Sequence, residues 1–312
     1  MTSLSAYLDA RAGPDLAAAI TCLASASARI SAEIRTPRSV LDAVAGDVNA
    51  DGDTQKALDV LADDIILAAA QQAGAAAYMS EERETAISLS DDGSFIIASD
   101  PLDGSSNIGV NVSIGTIFSV LPTAGYGLVA GRDQLAAGFF VYGPQTTLLL
   151  TVGAGVASFV MDADGRFQMI DDNVRIPDQT AEFAINAGNQ RHWLAPARRY
   201  VADCLAGADG PRGRNFSQRW VGSLVADAWR IFCRGGVFLY PADGRNGYAD
   251  GRLRLVYEAA PIAFLAMQAG GRATDGTGDI LDIVPTAVHQ RVPLVFGSSE
   301  EVDEIGRHYA AG

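Results

Sequence analysis

Hydrophobic residues recur at helical spacing in two segments near the start of the chain. Between Asp15 and Arg35, apolar residues three or four positions apart fall on one stripe, and Ser27 fills its one non-apolar step. The stripe consists of Leu16, Ile20, Leu23, Ile30 and Ile34. This spacing predicts a long amphipathic helix that Asp15 can cap. Residues 53–72 predict a second helix, and Gly74 just beyond them is a natural stop.

Short apolar runs follow, and their length is typical of strands. They cover residues 76–79, 95–98, 113–121, 139–142, 147–151 and 156–161, and residues 162–165 predict a hairpin turn. From about residue 177 the pattern alternates between strands, at 183–186, 237–240 and 292–296, and helices, at 193–206, 220–233, 261–269 and 300–309. The pattern predicts an α/β protein of α+β character with two lobes. The first, 1–175, has two long helices on a mostly antiparallel sheet, and the second, 176–312, is an α/β lobe. A ligand crevice is expected between them.

Composition and charge exclude several classes of function. With 312 residues, 48% of them hydrophobic, the chain can bury a sizeable core. A net charge of −14 argues against a nucleic-acid partner, and no secretion signal or membrane span is indicated, so a cytoplasmic location is expected. The three cysteines and three histidines show no metal-ligand spacing, which disfavours thiol catalysis, zinc chemistry and a Ser-His-Asp triad.

The segment Asp100-Pro-Leu-Asp-Gly-Ser-Ser-Asn107 concentrates chemistry in eight residues, directly after the apolar run 95–98. Two carboxylates at the end of a strand can bind a hard, oxygen-preferring cation, and the following Gly-Ser-Ser offers backbone N–H groups to an anion. A simple surface turn would explain Asp103-Gly104 but not Asp100. The segment therefore predicts a metal site beside a phosphate site.

Further acidic residues can be placed relative to this segment. Glu81 and Glu82 follow the apolar run that ends at Met79, so they also lie at the carboxyl end of a strand. Asp53 and Asp59 are about 240° apart on a helix, so Asp53 must precede the first turn and fold back toward Asp59. The alternative for this pair is an N-cap and a solvated surface acid.

Glu258 lies just ahead of Pro261, close to the predicted start of a helix. A negative charge is stabilised there by the helix dipole, and this alone could explain its position. The alternative is that Glu258 is one more acidic ligand of the same site. Its spacing from Pro261 is compatible with both interpretations.

Taken in order, these motifs resemble the class I fructose-1,6-bisphosphatase family over about residues 15–309. The resemblance is carried by Asp53 with Asp59, Ser80-Glu-Glu82, Asp100 to Ile108, Arg219 to Asp227, Gly235 to Pro241, Leu253 to Glu258 and Pro285 to Arg291. The Asp-Pro-Leu-Asp-Gly element is shared, in looser form, with inositol monophosphatases. The resemblance implies a layered α-β-α-β-α sandwich, the sugar phosphatase fold.

The resemblance also implies the metal chemistry. It implies two or three Mg²⁺ ions per subunit, with Mn²⁺ as a possible substitute, and it places most of their ligands in the first lobe. The implied ligands are Glu81, Asp100, the Leu102 carbonyl, Asp103 and Glu258. Glu82, with Asp59 and Asp53, would support the metals and activate water.

The implied substrate is a sugar bisphosphate, held by residues of both lobes. Gly104 and Ser105, with Ser106 beside them, would hold the 1-phosphate. Asn186, Arg219, Trp220 and Tyr240 would bind the 6-phosphate, with Arg219 reaching from a neighbouring subunit of a homodimer or homotetramer. Arg252 and Arg254 would contact the sugar and the reacting phosphate.

The chain departs from the family pattern at the distal phosphate. Arg252 replaces a lysine, while Trp220 and Asn189 replace tyrosines. The overall resemblance makes one activity the leading expectation: hydrolysis of the 1-phosphate of D-fructose 1,6-bisphosphate to fructose 6-phosphate and phosphate. A sedoheptulose 1,7-bisphosphatase or a dual-substrate enzyme is the alternative. An inositol-phosphatase-like enzyme and a catalytically dead sugar-phosphate-binding relative are less favoured.

A second departure concerns regulation. Ala17, Ser94, Phe95 and Pro122 occupy positions at which AMP-inhibited members carry Thr, Lys, Tyr and Arg. The side chains present here cannot offer a nucleotide phosphate the same cationic contacts. We therefore expect no AMP inhibition of that type.

Overall fold

The computed structural model describes residues 2–35 and 57–311. The helices are α1 (Leu4–Arg11), α2 (Pro14–Ile34), α3 (Ala57–Gln72), α4 (Ala195–Leu205), α5 (Leu224–Arg234), α6 (Ala260–Gln268) and α7 (Ser299–Ala310). A π-helical turn, Leu255–Ala259, leads directly into α6. None of the helices in this part of the chain combines the length and apolar character needed to cross a bilayer.

An eight-stranded sheet makes up most of the first half of the chain. Its strands are β1 (Ala77–Ser80), β2 (Ile87–Ser88), β3 (Phe95–Asp103), β4 (Ile114–Pro122), β5 (Ala136–Tyr142), β6 (Thr146–Thr151), β7 (Ala157–Met161) and β8 (Phe167–Asp171). The spatial order is β2-β1-β3-β4-β5-β6-β7-β8. Only β1 and β3 run parallel, and every other neighbouring pair is antiparallel. The predicted meander is therefore confirmed.

A second, five-stranded sheet follows. Its strands are β9 (Glu182–Ala184), β10 (Ser217–Gln218), β11 (Val237–Tyr240), β13 (Arg272–Thr274) and β15 (Leu294–Gly297), in the order β10-β9-β11-β15-β13. The parallel trio β10-β9-β11 joins the antiparallel trio β11-β15-β13 in one mixed sheet. The short strands β12 (Leu253–Arg254) and β14 (Arg291–Val292) pair separately.

Helices and sheets alternate as layers. One apolar cluster joins α1, α2 and α3 to one face of the first sheet. A second cluster joins the opposite face of that sheet, through residues such as Phe139, to α5, α6 and the second sheet. A third places α4 and α7 on the outer face of the second sheet. This is the expected α-β-α-β-α sandwich, and its middle helices, α5 and α6, come from the second half of the chain.

The long amphipathic helix is confirmed as α2, with Ile20, Leu23 and Ile30 fully buried. Its N-cap is Gly13 rather than Asp15, so the predicted capping role is wrong. Asp15 lies in the first turn, and its carboxylate accepts a hydrogen bond from the Ser94 hydroxyl (2.7 Å). The second predicted helix is confirmed as α3, whereas its predicted start at residue 53 lies outside the described residues.

Two predicted boundaries in the second half are wrong for local reasons. The helix expected from residue 220 begins at Leu224, because Gly222 has a φ of +83° and the chain turns there. The strand expected over 292–296 is split at Pro293, which has no N–H to donate to a ladder. Arg291–Val292 pairs with β12, and the chain after the proline joins the second sheet.

The contact between the first sheet and α5 allows a stability prediction. A Cβ on Gly115 of β4 would overlap the Phe140 carbonyl oxygen and Val225 of α5. We expect Gly115→Ala to lower the free energy of unfolding by about 1–3 kcal/mol, because backbone atoms cannot move aside. Gly306→Ala, on α7, is the control, since nothing lies within 4 Å of its added Cβ. Urea unfolding measures both, and equal midpoints for the two variants would contradict the prediction.

Candidate active site

A bulge in β3 brings two carboxylates to one side of the first sheet. Residues three apart on a regular strand point to opposite faces. In β3, however, Asp100 pairs with Ile117 and Asp103 with Gly115, so the two residues between them on β3 face one residue on β4. The extra residue reverses the alternation, and Pro101, which has no N–H for the ladder, lies at this point. The sequence Asp-Pro-Leu-Asp thereby directs Asp100 and Asp103 toward the same site.

Three acidic side chains meet there. Asp100, Asp103 and Glu258 are all buried, and each offers a carboxylate oxygen within 4.8 Å of the others. Glu81 lies next to them, because its backbone N–H donates to the Ser99 carbonyl (3.2 Å) across the parallel β1–β3 pair. The predicted convergence of these four acids, remote along the chain, is present in the structure.

Hydrogen bonds from the main chain orient the cluster. One oxygen of Asp103 accepts from the Val225 N–H (3.0 Å) at the start of α5 and from the Ser223 hydroxyl (3.3 Å). Glu258 accepts from the Arg254 N–H (2.5 Å), four residues earlier. Asp103 therefore joins the first sheet to the second half of the chain.

The crowding of like charges changes the acidity of the cluster. Burial, opposed by hydrogen bonds from Val225 and Ser223, raises the pKa of Asp103 to about 6. Burial and the nearby Asp103 raise the pKa of Glu258 to about 8, although Arg254 and Arg291 oppose this rise. Burial and the neighbouring acids raise the pKa of Glu81 well above its ordinary value.

The pKa of Asp100 is raised in the same way, by burial first and then by Glu81, Asp103 and Glu258. Every donor in the cluster is an oxygen, which suits a hard divalent cation. Because a bound cation stabilises the ionised carboxylates, it would offset the repulsion that raises these pKa values. The residues present therefore fit a divalent metal ion.

The neighbouring acids on α3 are buried as well. Asp59 is 4% exposed, so the alternative that made it a solvated surface acid is wrong. Asp53, its expected partner, lies outside the described residues. Asp63, one helical turn after Asp59, accepts hydrogen bonds from the Ser80 hydroxyl (2.6 Å) and Arg83 Nε (2.5 Å). Asp63 therefore anchors both ends of the Glu81–Glu82 segment. The sequence analysis missed this anchoring role, although the four-residue spacing from Asp59, which puts both acids on one face of α3, could have indicated it.

His289 makes a second contact to this segment. Its Nε2 lies 2.9 Å from the Arg83 carbonyl, which can only accept, so Nε2 carries the proton. Its Nδ1 then accepts from the Tyr257 hydroxyl (2.7 Å), next to Glu258 in the chain. The loop that carries Glu81 is thus tied to the turn that carries Glu258, a link that the sequence pattern did not reveal.

A cavity of about 440 Å³ opens above the cluster. It contains many of the residues proposed from the sequence: Glu81, Asp103, Ser106, Asn186, Trp220, Tyr240, Arg252, Arg254 and Glu258. Arg291, to which the sequence analysis gave no role, also lines it. The lining combines these acidic and basic groups with aromatic rings, and Trp220 stacks on Phe238 with ring centroids 5.6 Å apart.

Other predicted binding residues lie around this cavity rather than in its lining. Gly104 has a φ of +78° and starts the turn Ser105–Val110, which leads into the cavity at Ser106. Leu102 is buried, and its N–H donates to Asp100 (3.0 Å). Arg219 is not among the lining residues, and its Nε lies 3.6 Å from Glu182.

Comparison with known proteins then identifies the family. The protein-family model named "Fructose-1-6-bisphosphatase, N-terminal domain" matches residues 5–172, and the family model of the C-terminal domain matches residues 176–310. The chain belongs to the class I fructose-1,6-bisphosphatase family. The resemblance inferred from the motifs is therefore confirmed, and the chain is a phosphoric monoester hydrolase of a metal-dependent family.

Individual fructose-1,6-bisphosphatases match along nearly the whole chain. The "Fructose-1,6-bisphosphatase class 1" of Azorhizobium caulinodans is 52% identical, over 98% of this chain and 99% of its own length. A class 1 enzyme of Xanthobacter autotrophicus is 49% identical, over 99% of both chains. The crystal structure of the Leishmania major enzyme in holo form superposes with a TM-score of 0.91 at 33% identity, covering 99% of both chains.

The raised pKa values predict a pH dependence for the metal-free protein. Asp103 and Glu258 bind protons more tightly when folded, with pKa values of about 6 and about 8, than in the unfolded chain, where such acids titrate near pH 4. The folded state thus holds more protons between about pH 4 and pH 8, and stability falls as the pH rises through that range.

The measurement is thermal unfolding in chelator across this range. We expect the midpoint to fall with pH, and Mg²⁺ to flatten the dependence, because a cation favours the ionised carboxylates. Asp103→Asn should show a shallower slope in chelator. A midpoint that rises with pH in chelator would contradict the prediction.

Proposed function

We propose that this protein hydrolyses the 1-phosphate of D-fructose 1,6-bisphosphate, giving fructose 6-phosphate and inorganic phosphate. One observation carries the proposal: Asp103 and Glu258, two of the three clustered carboxylates, line the same cavity as Arg252, Arg254 and Arg291. A sugar that carries two phosphates could contact cations held by the acids and the arginines at the same time. The whole-length match to fructose-1,6-bisphosphatases supports the same substrate.

The acidic cluster would hold two or three Mg²⁺ ions, with Mn²⁺ as a possible substitute. The ligands proposed are Glu81, Asp100, the Leu102 carbonyl, Asp103 and Glu258. Bound divalent cations neutralise charge on the phosphoryl oxygens and stabilise the departing alkoxide.

Protein groups would supply the proton transfer and hold the reacting phosphate. Glu82, supported by Asp59 and by Asp53, accepts the proton of the attacking water. The hydroxyl of Ser80, which Asp63 holds, accepts a hydrogen bond from the Glu82 N–H (3.1 Å) and fixes the backbone there. The turn formed by Gly104, Ser105 and Ser106 binds the 1-phosphate, and the buried Arg254 adds positive charge.

Asn186, Trp220 and Tyr240, which line the cavity, would bind the 6-phosphate. We propose that Arg252 joins them instead of contacting the sugar and the reacting phosphate, because its partner Tyr248 borders a cleft shared with Asn186 and Tyr240. The Arg219 side chain is 54% exposed and is absent from the lining of its own cavity, which supports the expectation that it contacts a neighbouring subunit. We therefore propose a homodimer or homotetramer in which this arginine completes the distal site of another protomer.

Phosphate release tests the proposed substrate. We expect Mg²⁺-dependent release from fructose 1,6-bisphosphate at a higher kcat/KM than from sedoheptulose 1,7-bisphosphate or inositol phosphate. Preference for the seven-carbon sugar would replace the proposed substrate. No release from any of the three would indicate a sugar-phosphate-binding relative without catalysis.

The role of the carboxylate cluster is tested by Asp103→Asn, which keeps the shape of the side chain. We expect kcat to fall by about two orders of magnitude or more, because one anionic ligand is lost from the site. The unfolding midpoint in chelator should not fall, since a repulsive buried charge is removed with it. The exposed Asp91→Asn is the control. A normal kcat for Asp103→Asn would refute the metal role.

The start of α2 predicts the response to AMP. A pocket of about 340 Å³ there is lined by Asp15, Ser94 and Phe95, and none of its described lining residues is basic. The carboxylate of Asp15, bonded to Ser94, would repel a nucleotide phosphate. We expect hydrolysis rates to be unchanged at millimolar AMP. Half-maximal inhibition at micromolar AMP would contradict this expectation.

A further inference from the structure

The loop between β11 and β12 carries a tyrosine between two arginines. The guanidinium carbon of Arg245 lies 4.0 Å from the Tyr248 ring centroid, and that of Arg252 lies 4.7 Å from it. Arg252 also donates a hydrogen bond from Nη1 to the Tyr248 hydroxyl oxygen (2.8 Å). Contacts of this kind between a cation and an aromatic face are attractive. Tyr248 therefore restrains Arg252 in two ways, through its ring and through its hydroxyl.

The two arginines differ in how their charge is balanced. Arg245 Nε lies 3.0 Å from both oxygens of the buried Asp243, and this ion pair lowers the pKa of Asp243. No ion pair joins Arg252 to an acidic side chain among residues 2–35 and 57–311. Arg245 therefore serves to hold the Tyr248 ring, whereas the charge of Arg252 is available to an anion.

Backbone contacts fix this loop to the segment that precedes α4. The Gly244 N–H donates to the His192 carbonyl (2.9 Å), and Asp243 pairs with Trp193. The Tyr248 N–H donates to the Arg245 carbonyl (3.2 Å), which closes the turn. A continuous series of contacts thus leads from the protein body through this loop to the Arg252 side chain.

Arg252 lies where the substrate cavity meets this loop. It lines the cavity together with Asn186 and Tyr240, which also border a shallow cleft beside Tyr248. Asn189, which stands where a phosphate-binding tyrosine was expected, borders the same cleft. The phenol of Tyr248, from a different part of the chain, therefore borders the same cleft as Asn189, where the family pattern has a tyrosine.

We propose that Tyr248 is a positioning residue that orients Arg252 toward the phosphate remote from the reacting phosphorus. The inference rests on the proposed function, because it concerns the distal end of a sugar bisphosphate. An arginine on an exposed loop loses rotamer entropy when it binds an anion. Holding its guanidinium in place beforehand reduces that loss, so the benefit should appear in affinity for the distal phosphate and not in the chemical step.

The test compares Tyr248→Phe with wild type. This variant keeps the aromatic face and removes only the hydroxyl that accepts from Arg252. With fructose 1,6-bisphosphate we expect KM to rise by about tenfold, as for loss of a hydrogen bond to a charged group, and kcat to stay unchanged. With fructose 1-phosphate, which has no distal phosphate, both constants should match wild type. Equal losses on both substrates, or none on either, would overturn the proposal.

Two further measurements separate positioning from a general structural defect. In an Arg252→Gln background, Tyr248→Phe should cause no additional loss, because its effect passes through Arg252. A full additional loss in that background would reject the proposal. Tyr126→Phe is the matched control, since Tyr126 is 88% exposed and lies outside the cavity lining. Its kinetic constants should equal those of wild type.

Binding of fructose 6-phosphate, measured by calorimetry, provides a readout that does not require turnover. Tyr248→Phe should weaken this binding by about tenfold. Failure of wild type to hydrolyse fructose 1,6-bisphosphate would refute the proposed function. Normal wild-type hydrolysis, with unchanged fructose 6-phosphate binding by Tyr248→Phe, would refute only the role of Tyr248.

Discussion

The site depends on burying like charges at one point, where Asp100, Asp103 and Glu258 meet. Such an arrangement is unfavourable without a cation, and it persists because the surrounding structure constrains each group. The β3 bulge directs the two aspartates to one side, and backbone N–H groups hold Asp103 and Glu258. Since these constraints come from both halves of the chain, the site is complete only when the two sheets are docked. Metal binding and folding are therefore coupled.

The cavity brings groups of opposite charge together. Its lining includes Glu81, Asp103 and Glu258 as well as three arginines, beside the stacked rings of Trp220 and Phe238. The loop that contains Tyr248 adds contacts from a different segment: its hydroxyl accepts from Arg252, and its side chain borders the same cleft as Asn189.

A second group of residues positions the Glu81–Glu82 segment without lining the cavity. Asp63 holds Ser80 and Arg83, which flank the two glutamates, and His289 ties the Arg83 carbonyl to Tyr257. These contacts join α3, the end of β1 and the turn before α6. They show why the loop after β1 keeps a defined conformation although only its ends belong to regular structure.

Local patterns in the sequence were enough to predict most elements and the acidic cluster. The stripe of α2 and the strand runs were predictable because helical and strand periodicity are local, and Asp100-Pro-Leu-Asp103 predicted a metal site because carboxylates, proline and glycine have strong local preferences. Other contacts depend on tertiary packing. Asp103 accepts a hydrogen bond from Val225, 122 residues later, α5 forms part of the middle layer, and Tyr248 contacts Arg252. Sequence periodicity does not encode these contacts, because each depends on how distant segments pack and on which side chains that packing buries.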